Sequence, residues 1–417
     1  MKEHRLRIVA IILGVWLLMG IVTFGCSNPS ICWSDGICGA LLILFGGLSV
    51  AKRFEKLAWF VCIIGIWLQF APLLFWAPTA YAYVNDTLIG ILAIAFSILL
   101  PGTPGREISR GPTIPAGWRY NPSSWIQRAP TIALATTCWF ISRYLAAFQL
   151  GYIDTVWDPF FENGTFQVIT SKISQSLPVS DAGLGALAYS IEALMGCKGN
   201  ARRWYSMPWI VIGFGILVVP LGLISMLLII LQPVAVDNWC FLCLVTAACM
   251  LVMIAFTIDE VVAVLQFLYK QKKRGKSVWT IFWKGALPAD GVAIEKSSPS
   301  LKAMARGVSI PWNLALTTAL GIWLMFAPAI FSSAKSSADS DHIIGAFMIV
   351  ISVIAMAEVV RSARYLLIIL GAWLLFGTWL LVGAVAGAMW NDIGIGIAAI
   401  LLALPKGRIK ETYGKWR

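Results

Sequence analysis

Apolar runs long enough to cross a bilayer recur along this chain of 417 residues, at 8–24, 37–51, 57–77, 84–100, 130–150, 182–196, 207–232, 239–260, 310–331, 342–360, 364–385 and 389–404. In hydrocarbon every backbone amide and carbonyl needs an internal partner, so a chain built this way is confined to helices. Composition agrees: 59% of residues are hydrophobic, 12% are charged, and 20 are tryptophan, which excludes an ordinary soluble domain. The expected fold is an all-α integral membrane protein of about twelve transmembrane helices. A central four-helix bundle is expected between paired helical hairpins.

The net charge of +12 does not indicate nucleic acid, because the basic residues sit in short clusters between spans. Lys52/Arg53/Lys56, Arg106/Arg110/Arg119/Arg128, Lys198/Arg202/Arg203, Lys270 to Lys276 and Lys406 to Arg417 fall on alternate connections, as do the basic N-terminus and Arg361/Arg364. The intervening connections carry Asp35, Asp86, Asp154/Asp158/Glu162/Asp181, Asp237, Asp339/Asp341 and Asp392. By the positive-inside rule both termini are cytoplasmic, which suits a multi-pass protein of the cell inner membrane, surrounded by lipid. Residues 8–24 are expected to remain as the first span. They are long for a signal-peptide core, no A-x-A site follows, and Thr23-Phe24-Gly25-Cys26 fits a lipoprotein site poorly.

The chain repeats itself. Gly14-Val-Trp16-Leu, Gly65-Ile-Trp67-Leu, Gly321-Ile-Trp323-Leu and Gly371-Ala-Trp373-Leu are each followed by an Asp and a Gly: Asp35/Gly39, Asp86/Gly90, Asp341/Gly345 and Asp392/Gly396. Each unit reads as a helical hairpin in which Asp caps the second helix and Gly permits close packing. The tryptophans read as packing or depth anchors. With the Ser309-Ile-Pro311-Trp312 entry, and with Phe70-Ala-Pro72 matched by Phe326-Ala-Pro328, these units resemble the SPW-repeat membrane domains of bacterial proteins. The implied organisation is an SPW-like double hairpin at 1–100, a cytoplasmic linker at 101–117 and a four-helix domain at 118–270. A basic cytoplasmic linker at 271–308, a second SPW-like double hairpin at 309–405 and a cytoplasmic tail at 406–417 complete it.

The central segment holds the candidate chemistry. Cys240 and Cys243 stand at the start of the apolar run 239–260, on the outer, oxidising side of the topology. With Asp237 or Asn238 as N-cap, both thiols fall in the first turn of a helix, where the positive end of the dipole favours thiolate and disulfide exchange. The spacing alone is common. Four spans, a long outer loop after the first, and this Cys-x-x-Cys opening the fourth together resemble the vitamin K epoxide reductase family. Ile141-Ser-Arg-Tyr144, Val168-Ile-Thr-Ser171, Ser180-Asp-Ala-Gly-Leu-Gly-Ala-Leu-Ala-Tyr189 and Trp239-Cys-Phe-Leu-Cys243 carry the resemblance.

That resemblance implies a thiol oxidoreductase passing electrons from an outer-face thiol protein to a membrane quinone, ubiquinone or menaquinone. Cys243 would face the quinone, Cys240 would exchange disulfides with the partner, and Ser171 would lie near the quinone ring. One departure is evident: residues 151–196 contain no cysteine, and Thr165 stands where the family places a relay cysteine. Cys26, Cys32 and Cys38 lie on the same face, as a substitute relay or a structural disulfide. Cys62, Cys138, Cys197 and Cys249 read as small apolar residues. His4 and His342 are isolated, no residue set has metal-ligand spacing, and Asp259 and Glu260 mark the cytoplasmic interface. The alternative left open is a membrane scaffold or transporter that keeps the bundle without redox turnover.

Overall fold

In a computed structural model of the chain, residues 2–26, 28–99, 108, 110–292, 300–381 and 385–414 are described. Parts of the expected linkers and tail, at 101–107, 109, 293–299 and 415–417, lie outside them.

The N-terminal quarter forms two hairpins, α1 (Lys2–Phe24) with α2 (Pro29–Leu48) and α3 (Ala58–Leu74) with α4 (Ala80–Leu99). The central bundle consists of α5 (Trp125–Gln149), α7 (Asp181–Cys197), α9 (Pro208–Leu231) and α10 (Phe241–Lys273). Two short helices, α6 (Gly164–Ile169) and α8 (Arg203–Ser206), sit between these spans. After α11 (Val278–Lys284) and α12 (Leu301–Met304), α13 (Trp312–Phe331) pairs with α14 (Lys335–Met356), and α15 (Leu366–Leu380) with α16 (Ala386–Ala403). Among the described residues, ten helices are long and apolar enough to span a bilayer; Ile8–Phe24 is a shorter apolar helix, and α7 is 17 residues long. This is an all-α membrane architecture. Helix α10 continues past the expected end of its span, carrying Lys270, Lys272 and Lys273 in its last turn.

Local chemistry explains the helix starts. Asn28 accepts from the Ser30 amide ahead of Pro29, Ser124 caps α5 at Gln127, and Ser180 caps α7 at Gly183. The repeat aspartates do not cap. Asp35, Asp86, Asp341 and Asp392 lie inside α2, α4, α14 and α16, and all four are buried. The cap expectation is therefore overturned: the helices begin earlier, and each aspartate faces the neighbouring hairpin, with the Asp35 and Asp86 carboxyls within hydrogen-bonding reach.

The repeat glycines are the hairpin seams. A Cβ on Gly14 would meet the Gly39 carbonyl at 2.6 Å, one on Gly65 the Gly90 carbonyl at 2.7 Å, one on Gly321 the Gly345 carbonyl at 2.8 Å and one on Gly371 the Gly396 carbonyl at 2.7 Å. Backbones this close exclude any larger residue. The tryptophans then join hairpin to hairpin. Trp16 Nε1 donates to Asn85 Oδ1 at 2.9 Å and Trp67 Nε1 to Ser34 Oγ at 3.0 Å. The C-terminal pair repeats this, with Trp323 to Asn391 at 2.8 Å and Trp373 to Ser340 at 3.0 Å. Each acceptor is the residue just before a repeat aspartate, so one contact scheme is used four times.

The bundle is clasped from both sides. On one side Arg143 donates to Thr87 Oγ1 at 2.7 Å and Ser190 Oγ to Gln69 Oε1 at 2.7 Å. On the other, α14 packs on α9 and α10. Farther along α10, past its midpoint, Asp259 and Glu260 are buried. Tyr120 Oη donates to Asp259 at 2.6 Å, and Arg203 pairs with Glu260 through two hydrogen bonds, at 2.7 and 2.6 Å.

Candidate functional site

Helix α10 begins at Phe241, and its cap is Cys240 itself, not Asp237 or Asn238 as expected. A π turn, Gln232–Val236, extends α9 and ends with Asp237 in the left-handed region at φ 55°, so the chain reaches the new helix only at Cys240. Cys240 Sγ accepts from the Cys243 amide at 3.2 Å, and the Cys240 amide donates to Gln232 Oε1 at 2.9 Å. The two cysteines form a disulfide with Cα atoms 5.3 Å apart. Both sulfurs thus lie at the positive end of a 33-residue helix.

The long loop between α5 and α7 is folded over this turn. Asp158 organises it, accepting from the amides of Phe160, Phe161 and Thr165 and from Thr165 Oγ1 at 2.6 Å. Burial opposes the charged carboxylate, but the Thr165 hydroxyl and the three amides outweigh it and hold Asp158 below its ordinary pKa. Trp157 and Phe160 lie against the Phe241 ring, with centroids 5.7 and 5.2 Å away. Gly164 rests on the Trp239 carbonyl so closely that a Cβ would meet it at 2.3 Å. Asn238 Nδ2 donates to Gln167 Oε1 at 2.5 Å. The C-terminal hairpins close the remaining side, where Trp239 meets Phe326 and His342, and Lys335 Nζ donates to the Val234 carbonyl at 2.9 Å.

Cys240 is consequently 0% exposed. The expectation of a water-facing Cys240 is corrected, because loop and helix cap together cover it. Cys243 is half-buried and opens into a cleft. Ser171 lines the same cleft, with Tyr189, Ser225, Thr246 and the aliphatic faces of Leu145, Val168 and Ile229. Its mouth is held by a polar cluster. Gln149 Nε2 donates to Asp181 Oδ1 at 2.6 Å and Ser174 Oγ to Asp181 Oδ2 at 2.9 Å, while Ser180 Oγ donates to Gln149 Oε1 at 2.5 Å.

Cys243 and Ser171 are therefore brought together, and Cys240 joins them through the disulfide. Cys26 and Cys32 form a second disulfide across the α1–α2 turn, whereas Cys38 is a free thiol buried in the core of the first hairpins. Thr165 is buried on Asp158. Sequence reasoning passed over Gln232, Tyr189 and the Gln149–Ser174–Asp181 cluster. Their one signal was the Ser180 to Tyr189 stretch of the resemblance, which contains Asp181 and Tyr189. It also missed that Cys138 and Cys249 face one another across α5 and α10.

A helix-start disulfide beside an apolar cleft, inside a four-helix membrane bundle, defines the class as an integral membrane protein with a buried Cys-x-x-Cys disulfide in its central domain. Residues 129–258 match the vitamin K epoxide reductase family, and residues 4–100 and 311–406 match the SPW repeat domain. The chain carries a vitamin K epoxide reductase family domain between two SPW repeat domains. No curated protein and no solved structure matches it.

Proposed function

We propose that the protein is a quinone-dependent thiol oxidoreductase, passing electrons from thiols on the outer membrane face to a membrane quinone through Cys240 and Cys243. One observation carries the reading: Cys243, and not Cys240, opens into an apolar cleft that also bears the Ser171 hydroxyl. Apolar walls with a few convergent polar groups suit a ring that carries two carbonyls. Reduced Cys240 and Cys243 give up two electrons and two protons as their disulfide forms, and the quinone becomes hydroquinone. A thiol–disulfide protein at the outer face then donates a dithiol's electrons by exchange, itself leaving as a disulfide. Cys240 is the partner-facing sulfur, reached when the loop around Thr165 lifts; Cys243 is the quinone-facing one, and Ser171 donates to a quinone oxygen.

Cys26–Cys32 braces the outer turn, and Cys38 packs in the core, so electrons enter at Cys240 without a relay. Both termini are cytoplasmic, in the cell inner membrane. Substitution separates the roles. Cys243→Ala should accumulate a mixed disulfide through Cys240 and leave quinone unreduced; Cys240→Ala should form no adduct, and Cys26→Ser should leave adduct formation unchanged. Adducts formed equally through either cysteine would reverse the polarity. Quinone reduction untouched by both alanine variants would return the chain to the scaffold class.

A further inference from the structure

Below the floor of the cleft lies a second pair of thiols. Cys138 on α5 and Cys249 on α10 are both free, and their sulfurs are within hydrogen-bonding reach of each other. They share an apolar cluster with Tyr189, Phe214 and Met250. Cys138 Sγ also lies 3.8 Å from the Thr246 carbonyl. Tyr189 and Thr246 line the cleft that Cys243 opens into, so the same residues are floor to one site and roof to the other. Along α10, Cys249 is about 9 Å deeper than Cys243 at 1.5 Å per residue.

An independent feature marks this place. Glu192, on α7, is 1% exposed, and neither of its carboxyl oxygens has a hydrogen-bond partner among the described residues. It lies near Cys138. A carboxyl kept in an apolar bundle without a partner is disfavoured when ionised, and such groups inside membranes mark ion or proton paths. Two adjacent thiols must shed two protons to become a disulfide, and Glu192, neutral at rest, is the buried group near them able to relay one, giving up its own proton and taking one from a thiol in its place.

We propose that Cys138 and Cys249 are a second two-electron redox pair of the bundle, oxidised by a quinone held in the cleft, with Glu192 relaying one released proton. The proposal rests on the quinone reading of the cleft. Two S–H bonds break and one S–S bond forms between α5 and α10. The two electrons and two protons pass to the quinone, one proton by way of Glu192, and hydroquinone leaves. The pair gives the transmembrane core a second dithiol in a chain whose outer loop has none.

The test uses the full chain in liposomes, with Cys240→Ala and Cys243→Ala combined so that only the deeper pair can respond. After reduction, one sample receives menadione and another copper phenanthroline, which oxidises adjacent thiols without any quinone site. Both should yield a Cys138–Cys249 linked peptide by mass spectrometry, with one hydroquinone formed per link in the menadione sample. Glu192→Gln should slow the menadione reaction by at least about tenfold and leave the copper yield unchanged. No link with copper would refute the pairing. A copper link without a menadione link, in a preparation whose wild-type chain reduces menadione, would refute the coupling to quinone. If the wild-type chain also fails to reduce menadione, the quinone reading of the cleft falls first and the proposal with it. An equal rate in Glu192→Gln would remove Glu192 from the proton path.

Discussion

At the scale of single residues, the site is decided by where two sulfurs point. The Cys-x-x-Cys was legible in the sequence, and so was its place at a helix start, because an apolar run follows it directly. Its polarity toward water was not legible. Cys240 became the cap because the π turn after Leu231 consumed the residues that would otherwise have capped the helix. Asp158 is the residue that keeps the cover in place, through four hydrogen bonds that favour its charged form. Its contribution is present above the ordinary aspartate pKa of about 3.9 and is lost as pH falls through its lower folded value. Asp158→Ala should therefore speed amide hydrogen exchange across residues 158–170 by about tenfold or more at neutral pH, with helix α5 unchanged. Exchange no faster than in the wild-type chain would mean that the aromatic contacts to Phe241 hold the loop without it.

At the scale of elements, the four hairpins were readable because the Gly-x-Trp-Leu pattern repeats, but the job of each residue was only half readable. The glycines do permit close approach. The aspartates were read as caps because an acidic residue before an apolar run is an ordinary helix-start signal. That signal cannot distinguish a cap from a side chain facing another hairpin, which depends on packing between segments far apart in sequence. The same limit hid the Cys138–Cys249 contact. Gly65 provides the stability test, since a side chain there would meet both the Gly90 carbonyl and Ile94 Cγ1, at 2.7 and 2.8 Å. Gly65→Leu should cost about 1–3 kcal/mol or more by overpacking. Gly47→Ala, where nothing lies within 4 Å, should be neutral or slightly stabilising. Thermal unfolding in detergent reads both, and equal midpoints for the two variants would contradict the seam.

At the scale of the whole molecule, two SPW repeat domains clasp the vitamin K epoxide reductase family bundle. The C-terminal one reaches the disulfide turn itself through Phe326, His342 and Lys335. The N-terminal one reaches the outer loop, where Trp76 Nε1 donates to the Pro178 carbonyl at 3.1 Å and Tyr152 Oη to the Ala77 carbonyl at 2.6 Å. In the proposed topology, argued from the alternating charge of the connections by the positive-inside rule, this end lies outside. Single cysteines introduced at 160 and at 276 should then react with an impermeant maleimide in intact cells at 160 only; the reverse pattern would invert the topology and with it the entry of electrons. The central claim is tested most directly by the redox state of Cys240 and Cys243 in membranes containing or depleted of quinone. The account predicts a disulfide when quinone is present and accumulation of the two free thiols when it is removed under a supply of reduced partner. A pair that stays equally oxidised in both membranes would contradict it.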